Sequence, residues 1–477
     1  MNEKLNRALE YIGDDKIAEA AVSKKRRSFR WVAAVAAVLA IVLLATLLMP
    51  DAAVTANAEG LIAAPVYPEM APYPDESKYL ISNDWDAFDL EYDAWMRDVT
   101  TQRQQPAGYA DSLDGYFRKA IPTLLSGSGD SNAVCSPLNI YMALAMLAES
   151  TGGTSRQQIL DVLGADSMES LRTQAGQVWN SHYMADSASS SILANSLWLE
   201  NGLQYNADTV KTLADRYYAS VFQGDLGSPD MNKLLQDWLN EQTGDLLEEQ
   251  VQNVSMPQET ILALASTIYY RAKWSDTFHE GGNTQEPFHA PSGDRTVTYM
   301  HQTLAYGPYY WGEDFSAVRL GLEDGSGMWL ILPDKGFSPE DILASGHALE
   351  LLLGDYHNTE NKAGIRVNLS LPKFDITGDM QLNEKLEAMG ITDVFSANAD
   401  FSPILPEDAA YLDTASHAAR VKIDEEGVEA AAYTVMMACN SAMPPEDEID
   451  FVLDRPFLFV IASHDNLPLF TGIVNEP

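Results

Sequence analysis

Cysteine is scarce: Cys135 and Cys439 are the only two in 477 residues and stand about 300 positions apart. That spacing argues against a disulfide scaffold and against a C-x-x-C metal or redox pair. Basic side chains are few as well, 30 Lys and Arg against 69 Asp and Glu, for a formal net charge of -39. Phosphate backbones are held by clustered Lys and Arg, so no nucleic-acid partner is expected. Enzyme signatures are missing too: there is no G-x-S-x-G elbow, no H-E-x-x-H pair and no phosphate-cradling P-loop. His279, His289 and His301 fall close together but without helical pairing, which reads as loop or core histidines and not as metal ligands. Glu425 and Glu426 are adjacent, and neighbours on an extended strand point to opposite faces, so they make a poor acid/base pair. Neither enzymatic activity nor a cofactor or metal is expected.

What is present is a core-forming chain with 46% apolar and 21% charged residues, enough to fold without staples. Its charge is split: Lys24, Lys25, Arg26, Arg27 and Arg30 stand directly before residues 31–49, nineteen uncharged and mostly apolar positions. Nineteen helical residues at 1.5 Å each suit a hydrocarbon layer of about 30 Å. The positive-inside bias then keeps residues 1–30 as a cytoplasmic tail and sends the rest outward. The expected address is the cell membrane, single-pass with an extracellular domain. The alternative is secretion, because Ala56-Asn57-Ala58 fits a signal-peptidase site. Residues 51–107, with prolines at 65, 68, 72 and 74, read as a semi-extended stalk. Trp85 to Thr101 carries enough apolar residues either to dock or to form a short helix.

Residues 108–477 read as one α+β domain. Ser136 and Pro137 are an N-cap and first-turn proline, followed by the apolar helix from Leu138 to Leu147 and closed by Gly152-Gly153. Ile261 to Tyr270 reads as a central strand, Ile365 to Leu371 as a half-buried one, and Phe451 to Ser463 and Leu469 to Val474 as two more. The fourteen residues from Val428 to Ser441 hold neither Gly nor Pro, between Glu425-Glu426-Gly427 and Pro444-Pro445. At period two, one face carries Val428, Ala430, Ala432, Thr434, Met436 and Ala438, all small or apolar. Read alone, this is a long strand.

Several ordered motifs resemble those of the serpin family: NAVCSPLNIYMAL near Asn132, LNEQTG at Leu239, IYYRAKW ending at Trp274, LPKFDI at Leu371, SHAARVKIDEEGVEAAA at Ser416 and DRPFLFVI at Asp454. The resemblance spans about Tyr109 to Pro477. It implies a large central, mostly antiparallel β-sheet with further sheets, a helical N-terminal half and an exposed reactive loop. It further implies inhibition of serine-type endopeptidases. The loop is cut, and the acyl-enzyme is trapped as the loop enters the central sheet. Carried over residue by residue, the hinge is Glu425, Glu426, Gly427, Val428, Glu429, Ala430, Ala431 and Ala432. The reactive bond is Ser441–Ala442, with an offset of one residue left open. The sheet-opening region is Ser136, Ser266, His417 and Trp274; without the family, His417 and Trp274 read as ordinary core residues. A small neutral Ser441 favours elastase-like or subtilisin-like proteases as partners over trypsin-like ones. A monomer is expected, and the tail-plus-span layout suggests a bacterial member. The other reading is a non-inhibitory serpin-like binding module at the cell surface. Ser266 stands where the family has Asn, Val428 where Thr or Ser is common, and Tyr433 is larger than the usual hinge residue.

Overall fold

The computed structural model describes residues 60–477, apart from 76, 80–83, 187–188, 245–246, 253, 408–409, 413–414 and 429–446. The expected tail at 1–30 and span at 31–49 therefore lie outside the described residues. Among the described residues, no helix is long and apolar enough to cross a membrane.

The described part of the expected stalk is corrected: it packs onto the domain. β1 (Leu61–Ala63) is a short strand, and α1 (Trp85–Arg103) is a 19-residue helix capped by Asp84, whose carboxylate accepts from the Ala87 amide at 3.3 Å. The prolines keep the linking chain extended, but the aromatic residues between them find partners. Tyr67 stacks on Trp179 at 5.2 Å and Tyr73 meets Trp95 edge-on at 5.0 Å. Phe88, Trp95, Val99 and Arg103, spaced at helical intervals, form the buried face of α1. Buried Arg103 donates to the Ser181 carbonyl at 2.8 Å.

The domain proper continues with α2 (Leu113–Leu125), β2 (Ala133–Cys135), α3 (Pro137–Ser150), α4 (Gly153–Leu163) and α5 (Met168–His182), then β3 (Met184–Ala185), β4 (Ser190–Glu200), α6 (Ala207–Tyr217), β5 (Ala219–Gly224) and α7 (Pro229–Gln242). Strands dominate afterwards: β6 (Leu262–Lys273), β7 (Thr284–Ala290), β8 (Gly293–Trp311), β9 (Phe315–Gly321), β10 (Gly327–Pro333), β11 (Lys362–Pro372), β12 (Phe374–Gln381), β13 (Ser416–Ile423), β14 (Gly427–Val428), β15 (Glu448–Val452), β16 (Phe457–Ala462) and β17 (Pro468–Val474).

Two sheets result. The first runs β1-β5-β4-β6-β14-β13-β12, with β3 beside β4; the second runs β15-β11-β8-β9-β10-β16-β17-β2, with β7 beside β8. Adjacent pairs are antiparallel except β4 with β5 and β11 with β15. The run expected as one strand from Phe451 to Ser463 is in fact two. It breaks around Asp454-Arg455-Pro456, where proline cannot donate to a ladder; β15 joins β11, and β16 joins β10.

The helix expected from Pro137 is α3, and apart from Ala143 every residue in it is buried. Its largely apolar sequence fits this, because it lies in the main core with the inward faces of both sheets. A second, smaller core covers the other face of the first sheet, where Leu235, Trp238 and Leu239 of α7 pack with Trp198 of β4 and Ala263 and Ala265 of β6. The first sheet is therefore covered on both faces around β4 and β6, while the outer face of β12 is exposed.

Candidate functional site

The site is the seam between β6 and β13, which has an upper and a lower end. At the upper end the two-residue strand β14 sits between them. Gly427 lies opposite Lys273, and Val428 lies opposite both Ala272 and Ile423. Val428 is buried, as are Ala272 and Ile423, so its side chain points into the main core. Only glycine fits at 427, because a Cβ there would collide with the Ala272 carbonyl oxygen. At the lower end nothing intervenes, and Leu264 bridges directly to Ala415 in a parallel pairing.

A turn feeds the chain into the upper end. The Asp424 carboxylate accepts from the Glu426 amide at 3.0 Å, and the Asp424 amide donates to the Gly427 carbonyl at 3.2 Å. Trp274, fully buried, ties this turn to the end of β6. Its amide donates to the Glu426 carbonyl and its indole N–H to the Asp424 carbonyl, both at 2.9 Å. The Phe278 amide donates to the Glu425 carbonyl at 3.0 Å. Glu425 pairs with Lys373 at 2.6 Å and accepts from the Asn283 amide. Partial burial raises the Glu425 pKa, but the bonds from Lys373 and Asn283 outweigh it and hold the carboxyl below its usual range. Glu425 and Glu426 thus stand in a turn and not on the extended strand expected from sequence.

Three of the residues expected in the sheet-opening region, Ser136, Ser266 and His417, meet at the start of α3. Ser136 caps that helix, its hydroxyl accepting from the Asn139 amide at 3.2 Å, while its own amide donates to His417 Nε2 at 3.0 Å. His417 is therefore neutral, with Nδ1 carrying the proton. Burial disfavours its charged form and pushes its pKa down to about 4. Asn139 Nδ2 donates to Ser266 Oγ at 2.7 Å. Asn139 was missed in the sequence reading. Two signals pointed to it: it is a lone amide in an apolar helix, and Ser266 lacks the amide the family carries there. The structure places the amide on the helix, at Asn139, and the hydroxyl on the strand, at Ser266, across the same gap. His417 Nδ1 and Asn139 Oδ1 are buried without partners among the described residues.

Trp274 does not join this cluster; it belongs to the upper end. The residues expected as hinge, Glu429, Ala430, Ala431 and Ala432, and those expected at the reactive bond, Ser441 and Ala442, lie outside the described residues. The three histidines take structural places. His279 accepts from the Gly281 amide at 3.1 Å, His289 meets Asp294 at 2.8 Å, and His301 bridges Thr284 and Ser370 at 2.6 and 3.0 Å. Among the described residues, no group of three His, Cys, Asp or Glu could hold a metal ion.

Comparison with known proteins agrees with this architecture. A solved structure of the thermophilic serpin tengpin in its native state superposes with a TM-score of 0.69 at 22% identity, covering 78% of this chain and 95% of that one. By sequence, Serpin-ZX of Arabidopsis thaliana is 27% identical over 367 residues, covering 73% of this chain and 93% of its own. An alpha-1-antitrypsin-like protein of Ictidomys tridecemlineatus is 27% identical over 387 residues, covering 79% and 91%. The family model described as serpin, serine protease inhibitor, matches residues 119–477. The chain belongs to the serpin family.

Proposed function

We propose that this chain inhibits serine proteases as a suicide substrate, with residues 429–441 entering the seam between β6 and β13 after cleavage at Ser441–Ala442. The observation that carries this reading is the register of β14. Opposite β6, partner numbers sum to 700 (428 with 272); opposite β13 they sum to 851 (428 with 423). Continued downward, both series place residue 436 between Leu264 and Ala415, the pair that closes the seam. One strand thus fits both edges without a slip. Ala430, Ala432, Thr434 and Met436 then follow Val428 into the core, and Thr434 reaches the level of Ser266 and His417.

The driving force is the backbone. Insertion adds about a dozen ladder hydrogen bonds at about 1 kcal/mol each net of water, with apolar burial added. The total is on the order of ten kcal/mol, enough to carry a tethered protease and distort its active site, so that the acyl-enzyme is not hydrolysed. The uncleaved fold is then a kinetic trap. Ser441 suits elastase-like or subtilisin-like enzymes. The protein acts as a monomer outside the cell, anchored through residues 31–49 or released by cleavage after Ala58.

The test is a gel. Incubated with an elastase-like protease, the full chain should give a covalent complex that survives denaturant. Cleaved product alone, across a panel of serine proteases, would support the non-inhibitory binding module instead.

A further inference from the structure

The outer face of the same seam holds a cavity of about 180 Å³ beneath α7. Leu235 and Leu239 of α7 form its roof, and its floor is Ala263 and Ala265 of β6 with Ser416 and Ala418 of β13. The cavity is partly open to solvent past Ser255, Pro257 and Asp379, and it has a local cause: small floor residues meet on both sides of the seam. These residues lie on the face opposite His417 and Val428, because side chains alternate along each strand. The floor therefore straddles the line along which a new strand would enter.

The described chain stops at Val428 with its register fixed on both sides. Under the two sums above, residue 433 would lie between Thr267 and Ala418, 435 between Ala265 and Ser416, and 437 opposite Ala263. All three are odd positions, so their side chains point away from the main core and toward α7. They are Tyr433, Val435 and Met437, each larger than the alanines and serine of the floor.

We propose that the cavity under α7 is the receptacle for Tyr433, Val435 and Met437 once the cut segment has entered the sheet. The inference rests on the insertion reading and gives Tyr433, bulky for its position, a place to go. In the uncleaved protein the pocket is lined but not filled by side chains; in the cleaved protein these three fill it. Filling contributes to the difference in stability between the two forms.

The experiment compares guanidinium unfolding of the full chain, uncleaved and cleaved in the reactive segment, for the parent, Tyr433→Ala and Tyr433→Phe. The cleaved parent should resist far more denaturant than the uncleaved one. Tyr433→Ala should lower the midpoint of the cleaved form by roughly 0.5 M and leave the uncleaved form unchanged, and Tyr433→Phe should match the parent. A cleaved parent no more resistant than the uncleaved protein would overturn the insertion reading itself. A resistant cleaved parent with Tyr433→Ala indistinguishable from it, or shifted equally in both forms, would overturn the receptacle alone.

Discussion

The two ends of the β6–β13 seam are held by different physics. The upper end is already parted, and its wedge is fixed by backbone bonds from Trp274 and Phe278, a glycine that permits close approach and the Glu425–Lys373 pair. A strand extending from Val428 meets edges that already accept it. The lower end is shut by Leu264 against Ala415 and, beneath it, by the side chains of Ser136, Asn139, Ser266 and His417. Entry there exchanges buried hydrogen bonds, each expensive to leave unmade. On the proposed mechanism, the barrier to insertion therefore sits low on the seam. It is moderated because two buried acceptor or donor sites, His417 Nδ1 and Asn139 Oδ1, have no partners among the described residues to lose.

The strongest way to break this contrast is to stop the strand between the two ends. Residue 430 would lie between Tyr270 and Val421, both buried, so Ala430→Arg would force an unpaired charge into the core at a cost of several kcal/mol. The expected outcome is conversion from inhibitor to substrate, with covalent complex reduced more than about tenfold, whereas Glu429→Arg on the outward face changes it less than about twofold. Complex retained in Ala430→Arg would mean that the segment does not enter in this register. The lower end can be probed separately through pH. His417 has a folded pKa of about 4, below its unfolded value near 6.5. Between those values the unfolded chain binds a proton that the folded chain does not, so stability rises with pH. The contribution is fully present above about 6.5, and about 3 kcal/mol of it is lost as pH falls to about 4. His464, also held near 4, by burial and by Arg103, adds a slope of the same sign. Denaturant midpoints of His417→Gln between pH 4 and 7 should show a shallower slope than the parent, and equal slopes would remove His417 from this account.

Much of this contrast is written in local sequence. The capped helix from Pro137, the alternation at Ile365 to Leu371 and the apolar run at Ile261 to Tyr270 all carry periodicities that burial enforces, and they emerge as α3, β11 and β6. Residues 60–107 were less legible. Their prolines argue for an extended linker, which is correct locally, but whether Tyr67 and Trp95 dock depends on Trp179, Tyr183 and Met184 far along the chain. Along the seam, Ser136, Ser266, His417 and Trp274 are singled out through motifs, whereas their division into two ends is not. Spacing along a chain does not state which end of a sheet a residue occupies. Asn139 illustrates the limit: its role needs a partner 127 residues away.

The upper end should prove softer than the lower. Glu425 is mostly buried and Lys373 is about one-third exposed, so Glu425→Ala removes a charge-assisted pair that water partly screens. A loss of about 1–2 kcal/mol is expected in the uncleaved form. If the turn also guides the proposed entry, more of the chain should be cut without forming complex, measured as a raised ratio of inhibitor consumed per protease trapped. A stability loss with an unchanged ratio would separate the pair's structural role from any guiding role.

The smallest effect tests the exchanged amide. Asn139→Ser and Ser266→Asn each break the 2.7 Å bond in one direction, the first by leaving two hydroxyls too short to meet and the second by crowding two amides. Each should cost about 1 kcal/mol. The double variant restores an amide facing a hydroxyl, now on the strand as in the family pattern. If the gap is what matters, the two costs should not add, and the double variant should recover most of the loss, a coupling approaching about 2 kcal/mol read from denaturant midpoints. Additive costs would mean that α3 and β6 are each fitted to their own residue. The lower end would then be a set of independent contacts, and not one cluster that must rearrange together when a strand passes.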